Sequence, residues 1–462
     1  MYATVPAAGL MPPMLAMHAP DGLYSMPVNV VFGVVVMLVL AGALASLARH
    51  SDYRRVPLMG IMGAFVFAGQ MVNFPIASGT TGHLLGGMLA AILLGPAAGT
   101  VVMAVVVFFQ ALLGDGGVTV LGPNIFNMGV VGTCLAYFVY RVVVGRAVDR
   151  PARVVGASFF AAWLAVVLAS VFASLQLAVS GTVTLQRALP AMVLTHMAIG
   201  VGEALITAAA VAFVVRARPD LLYGHAGTAR RPLGRPVIAL GLGASLIVAV
   251  FLSLLPTLWD YPDGLESIGI AKGFQKEQPQ VGDDGSLTTL PAYPLGVRLA
   301  LVNGQVAAVH RYDQQPTPIA VGDVLERVND QPAASLAAVA QALKFDAAKS
   351  TFDVEPGRTI PVTVLRGGTA QVVSVSASAT PAAGGFPPLV ALLPDYTVPG
   401  VRGLLSTSLA GAIGTVIMFA VSLAVGRVLL RPGRLAVAAA REIRCQEPFS
   451  GTARRVLRTK GS

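Results

Sequence analysis

Long apolar runs separated by short polar stretches dominate the chain, and their lengths predict its main elements. Runs near 27–48, 56–72, 84–95, 97–114, 124–144, 155–179, 190–215, 236–257 and 402–426 approach or reach the roughly 20 apolar residues that carry a helix across about 30 Å of hydrocarbon. The expectation is a mainly α, polytopic membrane helix bundle of about 9 transmembrane segments. The 84–95 run is short and rich in Gly and Ala, which suits one arm of a tight helical hairpin inside the bundle. Between 258 and 401 the period changes. PLGVRLALV, QVAAVHRY, DVLERVN, IPVTVLRGG and QVVSVSAS read as β-rich stretches, while SLAAVAQALK repeats apolar residues at helical spacing. A small β-rich domain with one or two helices is expected there.

Composition changes the picture by naming the solvent. Hydrophobic residues make up 55% of the 462 and charged ones only 12%, too apolar a balance for a soluble domain. A formal net charge of +10 raises the question of nucleic acid, and the placement of the charges answers it. Of the 32 lysines and arginines, 21 fall in Arg49–Arg55, Arg141–Arg153, Arg216–Arg235 and the stretch from Arg427 onward. The 258–401 stretch instead holds 14 acidic residues against 9 basic ones. Basic loops collect on the cytoplasmic side, so the N-terminus and 258–401 are expected outside a cell (inner) membrane, with the C-terminus in the cytoplasm. The basic pI is then a topology signal. Cys134 and Cys445 fall in different compartments, which excludes a disulfide between them.

The division expected from these patterns is a dispensable extension (1–16), a compact membrane domain (17–220) and a polar, Arg-rich linker (221–235). A two-helix unit (236–281 and 382–432) follows, split by the β-rich insert (282–381), and a basic tail (433–462) suits contact with anionic lipid. Within the insert, GDVLERVNDQPAASLAAVAQAL followed by TIPVTVLRGG resembles a PDZ domain. That resemblance implies an extended peptide or periplasmic partner added to a sheet edge beside the helix, with Pro294 to Val297 (PLGV) as the loop for a terminal carboxylate. A spacer that binds nothing is the equal alternative, since fold likeness does not establish a ligand.

The chain carries no engine. None of its five lysines stands in a phosphate-cradling P-loop, and no HExxH occurs. It is therefore not expected to be an enzyme, and any energy for transport comes from another subunit. Two histidines stand beside membrane segments in unusual surroundings. His18 lies in MHAPDG, and His83 lies in NFPIASGTTGHLLGG, a Gly/Ser/Thr-rich stretch that reads as a loop dipping into the bundle, tolerated where protein or a cavity surrounds it. Taken alone, each reads more readily as an ordinary hydrogen-bonded histidine than as a metal ligand. His196 and Glu203 share a helix face by spacing and are costly enough in a membrane to be coupling or ion-path candidates; a structural pair is the competing reading. Gln70, Asn73, Asn124 and Asn127 are candidates for orienting the His83 loop, or for plain helix-to-loop hydrogen bonds. Asp115, in a Gly-Asp-Gly-Gly turn, is given no chemistry, and Asp260, Asp263, Glu266 and Asp395 read as turn and cap residues before metal ligands.

MHAPDGLYS, NFPIASGTTGHLLGGMLAAILLGP and GDGGVTVLGPNIFNMG together resemble the substrate-binding M component of energy-coupling-factor (ECF) nickel and cobalt transporters. PDGLE (Pro262 to Glu266) and PDYTVPG (Pro394 to Gly400) resemble the N component of those systems. The resemblance implies a mature chain that starts at Met17 and holds metal by the Met17 amine, the amide nitrogen and imidazole of His18, and His83. Such a unit closes a five-membered and a six-membered chelate ring, and four nitrogens in a plane suit Ni(II), with Cu(II) the chemical competitor. Ni2+ (or Co2+) is thus the implied cargo, no organic cofactor is implied, and affinity is expected to fall with pH because the ligands must lose protons. The implied partners are an ECF transmembrane coupling protein, with Ala41, Ala45 and Ala48 as small-residue contacts, and cytoplasmic ATPase subunits. Residues 1–16 lack a basic n-region and a clean cleavage site, so Met17 is the expected start. The competitors are a membrane-anchored PDZ-type sensor or scaffold without transport, in which the histidines are replaceable, and an importer of an organic vitamin, which would need an apolar pocket.

Overall fold

The computed structural model describes residues 18–50, 55–71, 73–76, 80–145, 150–224, 233–252, 279–281, 286–312, 317–346, 351–378, 398 and 404–430. Met17, Asp260, Asp263, Glu266, Asp395, Cys445 and the basic tail lie outside them. The helices are α1 (Met26–His50), α2 (Val56–Gln70), α3 (Gly87–Leu94), α4 (Pro96–Leu113), α5 (Leu121–Val144), α6 (Pro151–Val179), α7 (Leu185–Ala217), α8 (Arg235–Ile247), α9 (Leu336–Ala342) and α10 (Leu404–Leu429). Six of these, α1, α4, α5, α6, α7 and α10, are long and apolar enough to cross a membrane. The apolar runs predict about nine. The shortfall lies in α2 at 15 residues, α3 at 8 and α8 at 13 among the described residues.

The cause is clearest at α3. Gly86 (φ 78°) and Gly95 (φ 87°) take left-handed or related conformations at its two ends, and Pro96 opens α4, where its missing N–H costs nothing. Eight residues rise about 12 Å, far less than a bilayer. The segment nevertheless links the two ends of the bundle. At one end His83 meets His18; at the other, Arg55 Nη1 donates to Leu94 O at 2.8 Å and Tyr223 N to Ile92 O at 2.8 Å. The helix packs so closely on α5 that a Cβ at Gly87 would stand 2.7 Å from Met128 O. There α5 widens into π-helical turns over Phe126–Ala136, the local loosening that often accompanies functional sites.

The helix α2 is gripped by both parts of the chain. Its continuation forms a hairpin, β1 (Asn73–Ile76) against β2 (Thr80–His83), with Asn73 opposite His83. Another side meets α10, where Gly60 abuts Phe419 and Gly414 abuts Phe67. The apolar core of the bundle runs through Met59, Val66, Phe67, Met88, Ala90, Met103 and Ala161.

The insert is an antiparallel meander. β3 (Gln280–Val281), β4 (Leu287–Ala292), β5 (Val297–Val302), β6 (Gln305–Arg311) and β7 (Val324–Val328) neighbour one another in order, β8 (Gln331–Pro332) pairs with β7, and β9 (Phe345–Asp346) pairs with β10 (Thr351–Phe352). β11 (Thr359–Arg366) and β12 (Thr369–Ser376) complete the sheet beyond β7. Asn303-Gly304 and Gly367-Gly368, all at positive φ, form the two-residue turns that match strand twist. The insert has its own core of Leu290, Tyr293, Val297, Val339, Val362 and Val375. The PLGV loop departs from its expected role. Tyr293–Leu295 is a 3-10 turn that returns β4 directly onto β5, and β5 is paired along both edges, with β4 and with β6. The edge where a peptide was expected is filled by the chain itself.

Candidate metal-capture site

The His18 end of the bundle is built from segments far apart in sequence. Pro20 to Leu23 form a turn closed by Leu23 N to Pro20 O at 3.3 Å, with Gly22 at φ 86°, the conformation that places Gly third in a type II turn. Asp21 Oδ1 fastens this turn by accepting from Thr119 N and Thr119 Oγ1, each at 2.6 Å. Leu23 and Tyr24 pack among Val120, Leu177 and Met192, and Thr182 Oγ1 donates to Leu23 O at 2.8 Å. Asn124 holds both sides of Ala19, accepting from its N at 3.2 Å and donating to its O at 3.0 Å.

Glycines make the cradle possible. A Cβ at Gly116 would stand 2.7 Å from His18 Cβ, and one at Gly117 would collide with the backbone of Asp21. Gly117 N donates to Ala19 O at 3.0 Å. The Gly-Asp-Gly-Gly stretch is thus the floor on which the segment after Met17 lies.

His18 is 2% exposed. Its Nδ1 is 3.2 Å from both Asp115 O and Asp115 Oδ1, two acceptors that an Nδ1–H would satisfy. Asp115, read from its turn alone as a residue without chemistry, is buried against the histidine. Its signal was the flanking glycines, which admit a backbone approach from another segment.

His83 stands with its ring centroid 5.6 Å from that of His18, the planes at 86°. Metal–nitrogen bonds of about 2.0–2.1 Å put two imidazole centroids about 4.5 Å apart when adjacent in a square plane and about 6.4 Å when opposed, so the observed spacing lies within the reach of one ion. His83 Nδ1 is 3.1 Å from Leu84 O. The loop beyond it is fixed from two helices: Gln70 Nε2 donates to Leu85 O at 2.8 Å, while Glu203 accepts from Leu85 N at 2.7 Å and Gly86 N at 3.0 Å. The Glu203 carboxylate therefore caps α3 from α7, at the end where helix dipoles favour negative charge.

The remaining candidates are placed as follows. Asn73 lies opposite His83 in the hairpin. Asn127 does not reach the His83 loop; it exchanges paired amide hydrogen bonds with Gln176 of α6, at 2.7 and 3.0 Å. His196 Nδ1 turns to Met192 O of its own helix at 2.8 Å, so its polar partner and that of Glu203 are different. Among the described residues no group of three or more His, Cys, Asp or Glu stands ready to hold a metal.

The family model described as the cobalt uptake substrate-specific transmembrane region matches residues 18–221, and that of the PDGLE domain matches 374–431. A candidate fused nickel transport protein of Archaeoglobus fulgidus is 35% identical over 295 residues, covering 63% of this chain and 95% of its own. A fused nickel transport protein of Rhodobacter capsulatus is 36% identical over 224 residues, 45% of this chain and 64% of its own. A cobalt transport protein of Acetoanaerobium sticklandii is 30% identical over 202 residues, covering 42% of this chain and 81% of its own.

Proposed function

The chain belongs to the ECF-type nickel and cobalt transporters, as a substrate-specific M component fused to a PDGLE-type N component, and we propose that it captures Ni(II) outside the cell between His18 and His83. The observation that carries this reading is the meeting of those two rings at 5.6 Å, in a cradle that Gly116 and Gly117 open. Two imidazoles do not fill a nickel site. The further donors that the family resemblance implies are the amide nitrogen of His18 and the amine of Met17. Such a chelate closes its six-membered ring through His18 Nδ1, the atom that faces Asp115 in this structure. Metal entry then requires the tautomer with Nδ1 free of hydrogen and the ring to turn from Asp115; the protons released are those of the Met17 ammonium and the His18 amide, so binding weakens as pH falls. Co(II) is the second cargo.

A coupling protein and ATPases on separate subunits supply the energy that delivers the metal to the cytoplasmic side. The basic ends of α1, α5 and α7 face them in this orientation.

The test compares Ni(II) affinity of the purified protein beginning at Met17 with that beginning at Met1 and with His83→Ala. One tightly held Ni(II), lost in both comparisons and accompanied by proton release, is expected. Equal binding by all three would remove both histidines from the site.

A further inference from the structure

Leu85, two positions beyond His83, is held from two helices at once. Its carbonyl accepts from Gln70 of α2 and its N–H donates to Glu203 of α7. The same end of α2 meets the loop elsewhere: a Cβ at Gly69 would stand 2.6 Å from Leu84 Cδ2, and one at Gly86 would stand 2.9 Å from Val66 Cγ2. One residue past Gln70, Met71 ends the helix, and Asn73 begins the strand that pairs with His83. The position of α2 therefore sets the position of His83.

What sets α2 is the helix of the PDGLE match. A Cβ at Gly63 would collide with Ser422, and one at Gly60 would stand 3.1 Å from the Phe419 ring. From the other side, a Cβ at Gly414 would collide with the Phe67 ring, and one at Gly411 would stand 3.1 Å from Met71 Cε. These contacts run along α2 from Gly60 to Met71, where the hairpin departs. Close-packed surfaces of this kind transmit a displacement where a loosely filled one would absorb it.

We propose that α10 positions the metal-capturing loop through α2, with Gln70 as the positioning residue that joins the fused N-type unit to His83. The proposal rests on the reading of His83 as a metal-holding residue. The N-type unit then acts on capture through a packed helix, and its action passes through one side-chain amide.

The experiment measures Ni(II) affinity, by competition with a chelating dye, on the protein beginning at Met17 in lipid nanodiscs. Gly63→Ala is expected to weaken binding about tenfold, the lower range for groups that orient a ligand, and Gln70→Leu by a similar factor. Adding Ser422→Gly to Gly63→Ala removes the colliding atoms and should restore affinity to within about twofold, while Gly63→Ala in the Gln70→Leu background should add nothing, as expected for two changes on one route. A merely structural role for Gln70 would give additive losses and no rescue by Ser422→Gly, and either result overturns the proposal. If Gly63→Ala fails to insert, Ser422→Val presses on the same contact from α10 and is read in the same way. His83→Ala separates the two levels: binding lost there but unchanged within about twofold by the α2 and α10 variants refutes this route alone. Binding that survives His83→Ala refutes the metal-site reading, and the route with it.

Discussion

The two ends of α3 are closed in opposite chemical terms. At its start, next to His83, the Glu203 carboxylate accepts from the Leu85 and Gly86 N–H groups. At its finish, the Arg55 guanidinium donates to Leu94 O and lies 4.6 Å above the Tyr223 ring, while Tyr223 N donates to Ile92 O. The signs follow the helix dipole, negative at the N-terminus and positive at the C-terminus. They also answer a necessity. A helix of 8 residues is too short to sustain itself, and within hydrocarbon each orphan backbone group needs a partner. The difference between the ends lies in what else the partners touch. Glu203 and Gln70 hold the loop that carries His83, whereas Arg55 and Tyr223 tie the α1–α2 turn and the segment after α7 to the opposite end of the bundle. Substitutions at the first end should change metal affinity, and those at the second should change stability with affinity kept.

The largest effect is expected at Gly117. Any side chain there displaces the Asp21 backbone and with it His18, so Gly117→Ala should lower Ni(II) affinity about 100-fold, the upper range for losing ligand orientation. A competition titration checks this, and full affinity would show that the cradle is not needed to present His18. Glu203→Leu ranks next. It leaves the buried Gly86 N–H and the half-buried Leu85 N–H unpaired, the buried one at a cost of about 1–3 kcal/mol, and should weaken Ni(II) binding by at least about tenfold, with Glu203→Gln intermediate. A fall in melting temperature with unchanged affinity would make Glu203 a helix cap and nothing more.

Gly95 sharpens the comparison from the other end. With φ at 87° and the Tyr223 ring against it, Gly95→Ala should destabilise the bundle by about 1–3 kcal/mol yet leave Ni(II) affinity within about twofold for the folded fraction. Thermal unfolding and titration on one sample decide it. An affinity loss equal to that of Glu203→Leu would mean that α3 moves as a single body and that its ends are not separable.

Much of this was legible in the sequence because apolar runs and charge placement report the bilayer directly. The six long helices, the change of period at the insert and the two histidines in their loops all follow from local pattern. The rest depended on backbone proximity, which leaves no periodic trace. α3 reads as an apolar run until Gly86 and Gly95 are seen to bend the chain at both its ends. Asp115 reads as a solvated turn until the segment after Met17 is seen lying on the glycines around it. Asn127 shares the polarity of Asn124 but sits three positions on, where the helix turns it toward Gln176. The PLGV stretch resembles an open loop, and only strand pairing reveals that β4 already occupies the edge beside it. Spacing can nominate polar residues for a site, but it cannot say which segment will arrive opposite them.

The smallest expected effect belongs to the insert, where charge pairing operates outside the bilayer and should leave metal capture untouched. Arg366 donates to both carboxylate oxygens of Asp323, at 2.8 and 2.5 Å, and its Nη2 also reaches Pro318 O. Hydrogen bonds from this guanidinium hold the Asp323 carboxyl below the ordinary carboxylate range. The native state thus binds that proton more weakly than the unfolded chain does. The pair's contribution to stability is complete above the ordinary carboxylate pKa and is lost as pH falls through the depressed native value. Arg366→Gln removes the guanidinium donors from Asp323, whose burial then acts to favour the protonated form, and acid unfolding of the insert should begin at higher pH. Hydrogen exchange of the β7 and β11 amides between neutral and acid pH reads that shift directly. Ni(II) affinity at neutral pH should be the same in both proteins; a parallel loss would show that the insert's fold supports the capture site and that the two regions cannot be treated apart.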